Sequence, residues 1–120
     1  MNLMRFFDDW IQRPWVWGES DCCQFAGAYI EFMTGKNPAK AFRYRSESEA
    51  GKIIAAHGGI EGLLTEALGE PVSKGRHGML ALVDRPELVG VVYRDRIVAR
   101  TPSDINDIPL RRARRFWCLR

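Results

Sequence analysis

The hydrophobic repeat changes partway along this 120-residue chain. Up to Gly69 the apolar residues recur at helical spacing, and from Met79 onward they fall in short, β-branched runs. Side chains share a face every ~3.6 residues in a helix and every ~2 in a strand, so one stretch cannot serve as both. Helices must therefore come first and strands after. That order argues against an alternating parallel sheet. It predicts an α+β fold with N-terminal helices packed on a small antiparallel sheet.

Four helices are predicted. Leu3, Phe6, Phe7, Trp10 and Ile11 share one face, and Pro14 closes that segment. A second helix starts near Asp21, with Cys22, Phe25, Ala26, Tyr29, Ile30 and Met33 on one side and Gly35 as its stop. Asp21 with Gln24, and Ser46 with Glu49, have capping-box spacing. The third helix carries Ala50, Ile53, Ile54 and His57 on one face. The fourth carries Ile60, Leu63, Leu64, Ala67 and Leu68, and Gly69 and Pro71 stop it. Strands are expected at Met79–Val83, Leu88–Tyr93, Arg96–Ala99 and Phe116–Leu119. A turn at 84–87 joins the first two, and 101–110 reads as loop.

Size and composition fit one domain over residues 1–120. Hydrophobic residues make up 46% and charged residues 28%, as in a folded chain and not a disordered one. No apolar run approaches the ~18 residues of a membrane span. The first residues lack the pattern of a secretory signal, so export by that route is not expected. The net charge of +3 is local. Arg111, Arg112, Arg114, Arg115 and Arg120 give the last ten residues +5, leaving −2 for the rest. Those arginines are the candidate partner-binding residues.

Three cysteines, two of them adjacent, read as reduced thiols and not as a disulfide framework. Three Cys and two His without paired spacing make no zinc site, and neither metal nor cofactor is expected. The informative cysteine is Cys22. A thiol in the first turn of a helix lies near unpaired backbone N–H groups, which favour the thiolate, the nucleophilic form. A hydrolase would still need an imidazole beside it, oriented by a third group. Cysteine is also among the most buried residue types, so packing alone could explain it.

The pattern Trp17-Gly-x-x-Asp21-Cys22, an aromatic-rich helix, Thr34-Gly35, Tyr44 and a strand Val89-Gly90-Val91-Val92-Tyr93 resembles the NlpC/P60 peptidase-like fold. More narrowly it is similar to tailed-phage proteins of that fold, whose chains end in a Trp-containing strand, as Phe116-Trp117 does here. The resemblance spans roughly residues 15–118 and implies a papain-like α+β fold. It implies Cys22 as nucleophile, with Trp17 and Asp21 as substrate-binding candidates. It also implies a histidine at the start of the sheet strand, where this chain has Leu88. The Gly-Asp expected before the preceding strand is Gly78-Met79. A leucine takes no proton, so His77 is the one candidate replacement base, and His57 reads as a helix-end cap.

Three functions follow. The favoured one is a structural or assembly component of a bacteriophage tail tip, built on a peptidase fold that has lost its base. It would be made in the host cytoplasm, carried in the virion and bound to other tail-tip proteins. The alternative is an active cysteine endopeptidase cleaving peptidoglycan stem peptides, with Cys22 as nucleophile and His77 as base. The third is a binding module using Arg111–Arg115 on an acidic partner or nucleic acid. The basic, aromatic loop Lys36–Arg45 could hold single-stranded nucleic acid, but no nucleic-acid-binding signature accompanies it, so none is expected. Trp10, Trp15 and Trp17 are expected in the core.

Overall fold

A computed structural model describes residues 3–84, 87–103 and 105–119. The middle of the expected 84–87 turn (Arg85 and Pro86) and Arg120 lie outside the described residues. The element order is four helices, then five strands. α1 spans Leu3–Ile11, α2 Cys22–Thr34, α3 Glu47–Ala56 and α4 Gly59–Leu68. β1 spans Leu80–Val83, β2 Leu88–Tyr93, β3 Arg96–Arg100, β4 Ile105–Pro109 and β5 Ala113–Trp117. The sheet order is β4-β3-β2-β1-β5, and every pairing is antiparallel. The chain is thus α+β.

The helix ends follow from local chemistry. The Asp21 carboxylate accepts the Gln24 N–H at 2.9 Å, and the Ser46 hydroxyl accepts the Glu49 N–H at 3.1 Å. Each satisfies one of the four donors that a helix start leaves unpaired. Neither is a reciprocal box. The Gln24 amide turns to Tyr44, and the Glu49 carboxylate accepts the Arg45 N–H instead.

The helices cover one face of the sheet. Phe25, Tyr29 and Ile30 of α2 meet Leu80, Leu82, Val89, Val91 and Trp117, joined by Phe7 and Trp10 from α1 and Ile60 and Leu64 from α4. Each buried aromatic contributes roughly 2–3 kcal/mol, so a small domain spends its large side chains here. Trp10 is core, as expected. Trp15 and Trp17 are not: both are half-buried, edge to face at 5.2 Å between ring centroids. The other sheet face builds a second cluster from Met79, Ala81, Val83, Val92, Ile97 and Phe116.

Three further expectations need correction. The supposed loop 101–110 contains β4 and the start of a 3-10 turn. The last strand begins at Ala113, three residues early. The basic loop holds a 3-10 turn, Pro38–Ala41, capped by the Asn37 side chain. A fourth correction concerns position 88, where the resemblance places the base. Leu88 packs with the second cluster, on the face away from α2. Successive strand residues alternate faces, so Val89, not Leu88, points toward the helix.

Candidate functional site

The turn before α2 is fixed by one buried carboxylate. Asp21 is 1% exposed. Its Oδ2 accepts the Gly18 N–H at 2.8 Å, and its Oδ1 accepts the Gln24 N–H and the Tyr44 hydroxyl, each at 2.9 Å. Burial, followed by this contact with the carboxylate, pushes the Tyr44 phenol up, which keeps it a donor. Gly18 has φ of 83°, and a Cβ there would collide with the Tyr44 carbonyl oxygen. Only glycine fits both demands. Ser20 adds a hydrogen bond from its hydroxyl to the Pro14 carbonyl and accepts the Val16 N–H. Asp21 therefore shapes the turn. With its oxygens committed and its surface covered, it is not a substrate-binding group.

This turn delivers Cys22 and Cys23 to the first turn of α2, both half-buried. The neighbouring Cys23 thiol and the backbone N–H groups at the helix start act on the Cys22 thiol in one direction. Together these lower the Cys22 thiol against the opposing effects of burial and the Asp21 charge. Cys23 is pushed up by the neighbouring Cys22 thiol, by burial, and by the charges of Cys22, Asp21 and Glu87. The side-chain charges that bear on the thiols from Asp21 and Glu87 are thus negative and oppose a thiolate, whereas a cysteine hydrolase uses a cation there. Cys23 also lines an apolar cavity of about 80 Å³ between α2 and α4, with Ile30, Phe42, Leu64 and Val89. It is packing, as expected.

Neither histidine sits at the thiols. α2 packs on β2, the Glu87 charge just before β2 bears on Cys23 at the helix start, and Tyr29 donates to the Gly78 carbonyl at 2.7 Å. Tyr29 is seven residues, about 10 Å, along the helix from Cys22. His77 is therefore held at the far end of β2, beside the β2–β3 turn. Its Nδ1 accepts the Arg94 N–H at 2.8 Å, and its ring lies against Tyr93 at 5.2 Å. Arg94 and Tyr93 thus hold the His77 ring at the β2–β3 turn, and among the described residues no hydrogen bond joins it to Cys22. His57 ends α3, stacks edge-on to Phe42 and meets Glu66 at 2.9 Å.

Trp17 is half-buried and stacks edge to face with Trp15. Behind this pair lies a cation that sequence reading missed. Arg100 is 3% exposed, donates to the Arg13 carbonyl at 2.7 Å and stacks over Trp15 at 5.8 Å, with its Nε unpartnered. It ties the segment before α2 to β3. Its signal was the alternation of β3, which puts residues 98 and 100 on the helix side. Arg111, Arg112, Arg114 and Arg115 are all exposed. Arg114 meets Asp84 at 3.2 Å, and Arg115 approaches Glu61 at 3.8 Å.

Among the described residues no group of His, Cys, Asp or Glu is placed to hold a metal ion, and no helix is long and apolar enough to cross a membrane. These features define a two-layer α+β domain with paired thiols at a capped helix start and no imidazole beside them. The chain belongs to the DUF6950 family, a domain of unknown function, whose profile matches residues 1–119. No curated protein matches the chain.

Proposed function

We propose that this protein is a structural or assembly component of a bacteriophage tail tip, built on a papain-like fold of the NlpC/P60 type that has no catalytic base. It would bind other tail-tip proteins and travel in the virion. The observation that carries the loss of catalysis is the placement of both histidines. His77 serves the β2–β3 turn and His57 serves Glu66, so each imidazole is engaged away from Cys22. General acid–base assistance contributes roughly 10²–10⁴-fold, and expulsion of an amide nitrogen needs a proton donor. The phage assignment is supported by the resemblance of the Trp17–Cys22 segment and the closing Phe116-Trp117 strand.

The test uses the purified chain. It should leave peptidoglycan stem peptides uncut and should co-purify with tail-tip proteins when co-expressed with them. Cleavage that disappears in Cys22→Ala would replace this reading with a working peptidase. Failure to associate with any tail protein would remove the assembly role.

A further inference from the structure

The apolar cavity beside Cys23 is held open by the packing of its walls. Three elements enclose it: α2, the Pro38–Ala41 turn and α4. The turn cannot close inward. Gly27 lets it lie against α2, where a Cβ would collide with the Asn37 side chain and with Ala39. Asn37 locks that approach, accepting the Ala39 N–H at 2.9 Å and donating to Glu31 of α2 at 3.2 Å. α4 is committed elsewhere, packed on α3 and β5. Ala26, Ala39 and Ala67, one from each wall, are too short to bridge the space, and about 80 Å³ remains between them.

The chemistry of the cavity is uniform. Ile30, Ile60, Leu64 and Val89 form its buried part, and among the described residues no lining side chain carries nitrogen or oxygen. A water molecule needs two to four polar partners, so such a space suits an apolar guest instead. The rim gives a way in: Pro38, Phe42 and Leu63 are half-buried, and Ala67 is exposed. A second apolar space of about 30 Å³ reaches toward Ile53 and Ile54 of α3, and Phe42 and Leu63 line both. A cavity of about 150 Å³ lined by Leu, Ile and Phe takes benzene or xenon. This one has roughly half that volume, so it fits xenon and is too small for benzene. Apolar cavities cost stability in proportion to their volume, because their lining atoms lack dispersion partners, and a guest supplies them.

We propose that the cavity between α2, the Pro38–Ala41 turn and α4 is a binding site for compact, uncharged apolar molecules smaller than benzene, the class to which xenon and short alkanes belong. With no hydrogen bond or ion pair to select the guest, size decides. Leu63 sets the limit, since it stands in the wall between the two spaces. This inference goes beyond the proposed function and does not depend on whether Cys22 is catalytic.

Methyl NMR on the full chain tests it, with xenon and benzene as the probes. Over a xenon pressure series the methyl signals of Ile30, Leu63, Leu64 and Val89 should move along saturating curves that share one affinity. The exposed methyls of Met4 and Val72 should move linearly or stay put. Benzene should leave the four wild-type residues unmoved. Ala26→Leu fills the cavity and should weaken xenon binding by at least about tenfold, with circular dichroism as the check that it folds. Leu63→Ala joins the two spaces and should gain saturable benzene binding with a Kd on the order of millimolar. This gain decides the matter should Ala26→Leu fail to fold. Xenon shifts that never saturate in the wild type overturn the proposal. So does unchanged xenon affinity in a folded Ala26→Leu chain, saturable benzene binding by the wild type, or a Leu63→Ala chain that takes no benzene.

Discussion

Removal of the Asp21 carboxylate is the sharpest perturbation of this fold. Asp21→Ala deletes the cap of α2, worth about 1 kcal/mol. It also strands the Gly18 N–H and the Tyr44 hydroxyl, each a donor left without an acceptor at a cost of about 1–3 kcal/mol. The loss should reach roughly 3–7 kcal/mol, against a typical domain stability of about 5–15 kcal/mol. Tyr44→Phe removes only one donor and leaves the carboxylate two backbone partners, so it should cost about 1 kcal/mol. Because the two residues share a bond, the double variant should lose about 1–3 kcal/mol less than the sum of the singles. Urea unfolding followed by tryptophan fluorescence measures all three, with an unchanged denaturant slope as the check that only stability moved. An Asp21→Ala loss below about 1 kcal/mol, or strict additivity with Tyr44→Phe, would refute the account of this turn.

Gly18→Ala should destabilise by more than about 2 kcal/mol, since it combines positive φ with a collision at the Tyr44 carbonyl; a thermal midpoint like the wild type would contradict this. Burial pushes the Tyr29 phenol up to about 12, whereas an unfolded tyrosine titrates near ~10. Its contribution is therefore complete below about pH 10 and is lost as pH rises toward about 12, because the unfolded chain releases the proton first. Melting midpoints should fall across that window, and less steeply in Tyr29→Phe; an identical slope would count against it. Cys22 should titrate below the ordinary thiol range, and Cys23→Ala should raise it by removing the neighbouring thiol. Alkylation rates against pH, resolved by residue in a mass spectrometer, check this, and an unmoved midpoint would rule out an influence of Cys23 on Cys22.

Much of the helical half was legible because its signals are local. Leu3–Ile11 declares itself by spacing, and Asp21, Ser46 and Gly35 mark helix ends through bonds to residues three or four away. β4 was not legible. As an edge strand it keeps Asn106 and Asp107 exposed and ends in Pro109, so its composition reads as loop. The destination of Arg100 was equally hidden, because its partners Arg13 and Trp15 lie over eighty residues away.

Sequence alone settled the class of the fold and the seat of Cys22 at a helix start, since periodicity and capping act within a few residues. Only the tertiary structure decided what surrounds that sulfur. Which strand face Leu88 takes, which end of β2 holds His77 and which carboxylates bear on the thiols all depend on pairings distant in sequence. Those pairings are set by the burial of α2 against the sheet, and a local pattern carries no record of them.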